Sequence, residues 1–498
     1  MSKMLTRLRQ AASDYPERIA FEGSDASLSY GALYQVITEL TYDLSAQRIR
    51  ALGLLANNGL PWALVDVSAM IAGIPIVPLP LFFSSQQILH AINDAGLNAI
   101  LTDQPMQLES LLQDANIQFH KAGDLGGLHL IRLQGVIPQN LPHGTAKISY
   151  TSGTTGEPKG VCLSLAQIET VATSLMEASQ AQFSDRHLCL TPLSTLLENI
   201  GGIYTPLLAG ACSCLLPLQQ VGLIGAVGLD VARMLKALHT YRASSTIFAP
   251  QMLQALVVAG EDGASMPANL RFIAVGGAPV SLELLQRARQ INLPVFEGYG
   301  LSECGSVVSL NTPDAYCVGS VGRPLPHVAI SFSDIGEVLV SGSNFLGYLG
   351  RESPSQHWPT GDIGYLDTEG FLHITGRRKS LFITSFGRNV APEWIERELT
   401  MHPAIAQVAV YGEAKPFSVA VIVARLGYSK EQVDMAVQAT NKVLPDYARI
   451  KSWVLAAIPF MPVNQQLTTN GRLKRDAILM VYSDALERLY QEEVNVIF

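Results

Sequence analysis

Short apolar runs, Ile49 to Leu55, Ile74 to Pro78, Asn98 to Leu101 and Thr246 to Ala249, alternate along this chain with helical patterns several turns long. Strands that must be crossed by helices before the next strand can pair give parallel sheets, so the alternation predicts an α/β fold with largely parallel sheets. At 498 residues, with 48% hydrophobic and 15% charged, the chain exceeds what one hydrophobic core serves, and two or more domains are expected.

The most apolar stretch, Trp62 to Phe83, is broken by Asp66 and by Pro75, Pro78 and Pro80, so it reads as a buried helix followed by a strand rather than a membrane span. A capping box, Ser164-Leu165-Ala166-Gln167, opens a helix whose Ile168, Val171, Leu175 and Met176 recur at helical spacing. From Ser380 to Phe498 the pattern reads strand, helix, strand, strand, helix, long enough for a separate small domain; Pro392 is placed to open its first helix. Ser429-Lys430-Glu431-Gln432 caps its second helix, and Leu444-Pro445 ends it.

A net charge of −8 provides no global positive field, so no nucleic-acid partner is expected. The six cysteines are scattered without a CxxC pair, which argues against a disulfide framework or a zinc site and fits a reducing cytoplasm. The first residues, MSKMLTRLRQAASDYPERIAF, lack the apolar core of a signal peptide and read as a short surface helix.

Residues 148 to 164, ISYTSGTTGEPKGVCLS, join two short apolar strands by a loop of Ser, Thr and Gly with one Lys. Glycines let backbone N–H groups turn inward, Ser152, Thr154 and Thr155 add hydroxyl donors, and Lys159 adds a cation, a combination suited to a polyphosphate. The spacing is not that of a Walker loop, and a Gly/Thr-rich turn by itself is as readily a plain connector.

The full string resembles the phosphate-loop motif of the adenylate-forming superfamily, which includes acyl-CoA synthetases, firefly luciferase and the adenylation domains of peptide synthetases. The resemblance continues in order through Gly276-Gly277-Ala278, EGYGLSEC from Glu297 to Cys304, Thr360-Gly361-Asp362 and Gly376-Arg377, and takes in segments near residues 80 and 390. It implies a large N-terminal domain of αβ-layered sheets, residues 1–378, and a small mobile C-terminal α+β domain, residues 379–498, rotating about a hinge at Lys379. The implied activity is ATP-dependent activation of a carboxylic acid as its acyl-adenylate, with pyrophosphate release, then transfer to a thiol.

By the same resemblance Thr151, Ser152, Gly153, Thr154, Thr155, Gly156 and Lys159 cradle the ATP phosphates, Gly276, Gly277, Ala278, Tyr299 and Gly300 contact adenine, and Asp362 and Arg377 hold the ribose. Ser302 donates to the α-phosphate in place of the usual Thr, and Glu303 holds Mg²⁺ near the phosphates. Gly387, in Gly387-Arg388-Asn389, lets a pantetheine arm approach. Where the family carries glycine followed by a catalytic lysine, Gly471 is followed here by Arg472. Arginine keeps the charge and can grip carboxylate and phosphate together, but its planar fork is not interchangeable with an ammonium. Arg472 takes the role, with Lys474 as second candidate.

TPLSTLLENIGGIYTPLLAG, residues 191 to 210, lacks the aspartate of amino-acid-activating relatives and resembles the long-chain acyl-CoA synthetase branch, with Glu198, Gly201 and Gly202 kept and Thr195 where histidine is common. An aliphatic acid of medium to long chain is therefore expected. Small residues at Gly201, Gly202, Gly305, Ser306 and Val307 either leave an apolar acyl groove or only allow close packing. CoA, the phosphopantetheine of an acyl carrier protein, or an amine stays open as acceptor, and Arg472 keeps open a nucleotide-binding homologue that has lost ligase chemistry.

Overall fold

A computed structural model describes residues 2–151, 158–224, 228–278, 280, 282–351, 355–378, 382–385, 389–468, 471 and 473–497. The chain divides into two compact units, one of Met1–Ala278, Ala288–Ser331 and Leu339–Trp358, the other of Pro279–Arg287, Phe332–Val338 and Pro359–Phe498.

Two large sheets dominate the larger unit. The first has nine strands, and its centre is parallel: Ile19–Glu22, Cys212–Cys214, Arg186–Leu188, Ser245–Phe248, Phe272–Val275 and Val295–Tyr299 lie side by side in that order. The second has eight strands, with Thr145–Thr151, Ile76–Pro78, Leu52–Leu55 and Ala99–Thr102 parallel at its centre and antiparallel pairs outside them. The apolar runs read from the sequence are the inner strands, because only a strand covered on both faces needs apolar residues at consecutive positions.

Side-chain alternation sorts the residues of the eight-stranded sheet into two cores. Val161 and Leu163 join a core with the helices Tyr30–Ala46, Leu60–Ile71 and Leu165–Ala178, while Cys162 and Ile148 face a second core with Ile92 and Leu112. The first core also takes in Phe21, Phe272 and Phe296 from the nine-stranded sheet, so the helices form the layer between the sheets. The stretch after Trp62 is a helix buried from Trp62 to Met70, followed by the strand Ile76–Pro78. Ser164 accepts from the Gln167 N–H at 3.1 Å at the start of its helix. The N-terminal helix Lys3–Asp14 is present but not superficial: Met4, Leu8 and Ala11 line one face at helical spacing and pack into the main core.

In the smaller unit Ile405–Tyr411, Ser418–Ala424 and Ile450–Leu455 form a three-stranded sheet, antiparallel then parallel. Helices Pro392–Thr400 and Lys430–Val443 cover one face through Ile395, Leu399, Val433 and Val437. The last helix, Arg475–Ile497, covers the other through Ile478 and Leu486. Pro392 stands at the first helical turn, and the Ser429 capping box is closed from both sides. The third strand and the last helix go beyond the five elements expected from the sequence. Leu479, Met480 and Val481 are exposed beside buried Ile478, which blurs the 3.6-residue pattern of that helix.

The six cysteines are free. Among the described residues no helix is long and apolar enough to cross a membrane.

Candidate active site

Thr151 and Lys159 are cross-strand partners at the ends of the antiparallel strands Thr145–Thr151 and Lys159–Ser164. They fix the mouth of the Ser/Thr/Gly loop, whose Ser152, Gly153, Thr154, Thr155 and Gly156 lie outside the described residues.

Two neighbouring parallel strands bring the next motifs together. Val275, the end of one strand, is registered against Glu297 in the other, so Gly276, Gly277 and Ala278 leave the sheet beside Tyr299 and Gly300. This is the carboxyl edge, where open α/β sheets bind ligands. Gly277 has φ of 81°, which a side chain would resist, and a Cβ on Gly276 would stand 3.1 Å from the Gly298 carbonyl oxygen. A Cβ on Gly300 would lie 1.9 Å from the Ser306 carbonyl oxygen, so only glycine lets the following turn fold back here. That turn is the short helix Ser302–Cys304, followed by Gly305 and Ser306 at φ of 74° and 89°. Ser306 is a non-glycine residue in a costly backbone region, and its N–H donates to the Leu301 carbonyl oxygen at 3.0 Å.

Glu303 is oriented by a residue the sequence did not single out. The Tyr348 hydroxyl donates to its Oε1 at 2.6 Å, and the Phe345 N–H donates to its carbonyl oxygen at 2.8 Å. Tyr348 lies on the strand Gly347–Tyr348, paired with the strand that begins at Lys159. Lys159 Nζ stands 5.6 Å from the Tyr348 ring centre and the Arg351 guanidinium 5.8 Å. Burial and the Glu303 carboxylate both push the Tyr348 phenol above its ordinary range, so it stays a donor. A carboxylate fixed in this way, with cations around the same ring, is the hard-oxygen donor that suits Mg²⁺ beside phosphate.

In the smaller unit Asp362 and Arg377 face each other across an antiparallel pair, with Arg377 Nε 2.9 Å from Asp362 Oδ1. Buried Glu337 braces this hairpin, accepting from the Gly361 N–H at 3.0 Å and from Arg378 at 2.9 Å. No local pattern marks Glu337, because its partners follow it by 24 and 41 positions. Lys379, Gly387 and Arg472 lie outside the described residues. Of the described neighbours, Gly471 has φ of 74°, Leu473 bridges Leu467, and the exposed Lys474 donates its N–H to the Gln466 carbonyl oxygen at 2.9 Å.

Thr195 is exposed at the start of the helix Leu196–Asn199, but Glu198 points inward. Its carboxylate is fully buried, 3.2 Å from His187 Nε2 and accepting from the Thr191 N–H at 3.1 Å. Close packing accounts for the glycines here. A Cβ on Gly201 would lie 2.7 Å from Ile247 Cδ1, one on Gly202 2.6 Å from Cys189 Sγ, and one on Gly305 2.7 Å from Val171 Cγ2.

The AMP-binding enzyme family model matches residues 8–349, and the model of the AMP-binding enzyme C-terminal domain matches residues 379–494. The chain is 28% identical over 431 residues to a 2-succinylbenzoate–CoA ligase of Bacillus subtilis, covering 81% of this chain and 84% of that one. It is 26% identical over 562 residues to a long-chain-fatty-acid–CoA ligase of Mycobacterium bovis, covering 92% and 93%. The structure of O-succinylbenzoate coenzyme A synthetase from Bacillus subtilis, in complex with ATP and magnesium ion, superposes with a TM-score of 0.76 at 24% identity, covering 94% of this chain and 98% of that one; this last likeness speaks for the fold. Matched along both its large and its small part, the chain belongs to the AMP-binding enzyme family.

Proposed function

We propose that this protein activates a carboxylic acid in two half-reactions. A carboxylate oxygen attacks the α-phosphorus of ATP, the bond to the bridging oxygen breaks, and pyrophosphate leaves. A thiol sulfur then attacks the acyl carbon, AMP leaves with the carboxyl oxygen, and a thioester remains. The observation that carries this reading is the meeting of Gly276–Ala278 with Tyr299 and Gly300 at the carboxyl edge of adjoining parallel strands, with Glu303 held by Tyr348 close to Lys159.

In this reading Thr151, Lys159 and the loop between them cradle the phosphates, Tyr299 and the glycine turn seat adenine, and Asp362 with Arg377 holds the ribose. Glu303 would hold Mg²⁺, which neutralises phosphate charge when bound. Ser302 donates to the α-phosphate. Arg472, or Lys474 beside it, spans the carboxylate and the α-phosphate, since two anions meet only where charge is neutralised and geometry fixed. The domain boundary at residue 379, the turning of the small domain about Lys379, and the approach of Gly387 to the acyl-adenylate are parts of the same proposal.

The acid is proposed to be aliphatic, because residues 191 to 210 contain no aspartate to pair a substrate ammonium and one relative acts on long-chain fatty acids. An aromatic acid is the second reading, supported by the 2-succinylbenzoate ligases among the relatives. CoA or the phosphopantetheine of a carrier protein is the proposed acceptor.

Hydroxylamine trapping with pyrophosphate detection across aliphatic, aromatic and amino acids tests the proposal on wild type, Arg472→Ala, Arg472→Lys and Lys474→Ala. An ATP-dependent hydroxamate that Arg472→Ala reduces by about a hundredfold is expected. A wild type that binds ATP but releases no pyrophosphate with any acid, while Arg472→Lys gains turnover, would instead favour a nucleotide-binding protein without ligase chemistry.

A further inference from the structure

A buried cluster of the larger unit has no part in the proposed reaction, yet it brings three kinds of metal-ligating atom together. His187, Cys189 and Glu198 are all buried, and an imidazole nitrogen, the thiol sulfur and a carboxylate oxygen lie within 4.8 Å of one another.

A strand and a helix supply these groups. His187 lies on the strand Arg186–Leu188, and Cys189 continues it, donating its N–H to the Cys214 carbonyl oxygen at 3.1 Å. Residues two apart on a strand share a face, so imidazole and thiol project to the same side. Glu198 stands on the helix Leu196–Asn199, and Gly202, four positions on, belongs to the π-helix Ile200–Tyr204 that follows without a break. A π-turn within a helical run recurs at functional sites. Here it sets Gly202 against the cluster: a Cβ there would stand 2.6 Å from Cys189 Sγ, 2.8 Å from Glu198 Oε1 and 3.4 Å from His187 Cδ2. Any side chain at 202 would crowd all three groups.

His187 Nε2 and Glu198 Oε1 are 3.2 Å apart, close to the roughly 3.3 Å between nitrogen and oxygen ligands on a tetrahedral zinc ion. Metal ligands are held from behind by further hydrogen bonds, and these are present. His187 Nδ1 is 3.0 Å from Ser245 Oγ, and Glu198 Oε2 accepts from the Thr191 N–H at 3.1 Å and from the Thr191 hydroxyl. The Gly202 carbonyl oxygen, 3.7 Å from Cys189 Sγ, offers a fourth ligand, and Pro206, four positions on, has no N–H to give it. Charge agrees with geometry. A thiolate, a carboxylate and a dication sum to zero, whereas the fully buried Glu198 carboxylate has only His187 as an ion-pair partner among the described residues. Mixed sulfur, nitrogen and oxygen ligands select Zn²⁺ over Mg²⁺ and Ca²⁺, which take oxygen, and over Cu(I), which prefers sulfur.

We propose that His187 Nε2, Cys189 Sγ and Glu198 Oε1 bind a structural Zn²⁺ that fastens the strand Arg186–Leu188 to the helical run Leu196–Tyr204. On binding, the thiol proton leaves to solvent and His187 carries its proton on Nδ1, donating to Ser245. The ion takes no part in adenylation, so the site and the proposed function are tested separately. Cysteine spacing gives no sign of it, because its ligands come from a strand and a helix rather than from a CxxC pair.

Untagged protein, expressed with added Zn²⁺ and separately with added Co²⁺, is dialysed against EDTA and its metal counted by plasma mass spectrometry. Wild type is expected to keep about one equivalent of either metal, the cobalt form showing a thiolate-to-cobalt charge-transfer band. X-ray absorption at the zinc edge should count one sulfur among nitrogen and oxygen neighbours. Cys189→Ser should lower the retained metal at least about tenfold and remove the charge-transfer band. Cys214→Ser should change neither; its thiol belongs to a separate group with Glu22 and Cys212. Wild type holding under about a tenth of an equivalent would overturn the site. So would a zinc shell with no sulfur or with two, metal retained unchanged in Cys189→Ser, or metal lost in Cys214→Ser. If Cys189→Ser fails to fold, the sulfur count in wild type still decides.

Discussion

Tyr348 and Glu303 are 45 positions apart and meet because the strand Gly347–Tyr348 pairs with the strand that begins at Lys159. A hydrogen bond to a carboxylate contributes roughly 1.5–3 kcal/mol, and losing it frees Glu303 to turn. Tyr348→Phe is therefore expected to raise the Mg²⁺ concentration for half-maximal adenylation about tenfold, with the acid's KM little changed; an unaltered Mg²⁺ dependence would remove Tyr348 from the site. His327 gives a pH prediction. Burial lowers its pKa from the ordinary value, and Nε2 donates to the Val307 carbonyl oxygen at 3.0 Å. The folded state prefers neutral imidazole, so its contribution is complete above the unfolded value of about 6.5 and is lost as pH falls from there through the lower folded value. Unfolding free energy should fall more steeply between about pH 7 and 5 in wild type than in His327→Gln, which keeps an N–H donor; equal slopes would show that His327 does not titrate on unfolding. Neither residue belongs to a local pattern, so neither was legible in the sequence.

At the scale of elements, helix and strand identities were legible because they follow from period and capping. The direction of a side chain on them was not. Glu198 is a charged residue, but on the helix Leu196–Asn199, which runs straight into the π-helix Ile200–Tyr204, its carboxylate points inward to His187. Gly202 is the glycine that makes this possible, since an added Cβ would meet Cys189 Sγ at 2.6 Å and Glu198 Oε1 at 2.8 Å, and that carboxylate is held in place by His187 and the Thr191 N–H. Gly202→Ala is expected to cost about 1–3 kcal/mol, read by denaturant unfolding. A loss under about 0.5 kcal/mol would mean that this corner has room to give.

The larger unit holds a fully buried ionic network, and it belongs to the scale of the whole molecule because four separate elements contribute to it. Lys147, on the strand that leads to the phosphate loop, donates to Asp66 at 2.7 Å and to Tyr204 at 2.7 Å, and also to Asn199. Asn199 in turn donates to Asp66 at 2.9 Å. Burial lowers the Lys147 pKa from its ordinary value, and Asp66 opposes that. Lys147→Met alone leaves Asp66 as an uncompensated buried charge and is expected to cost about 3–5 kcal/mol. Adding Asp66→Asn to it should return part of that stability, by thermal or denaturant unfolding; a double variant less stable than Lys147→Met would show that the charge on Asp66 is not what costs stability. From the sequence Asp66 was only a charge that forbids a membrane span. Its partner 81 positions away could not be read there.

The α/β alternation, the loop of small and hydroxyl residues, and the ordered motifs from Thr151 to Arg377 are legible in the residues themselves, because period, capping and glycine requirements are local. Which polar and charged groups meet follows from the tertiary structure. Glu303 with Tyr348, Glu337 with Arg378, Asp66 with Lys147 and Glu396 with Arg475 are each joined by strand order or by helices on opposite faces of a sheet. Such pairings depend on the path of the whole chain, and a side chain's nearest neighbours in space leave no periodic mark in its own stretch of sequence.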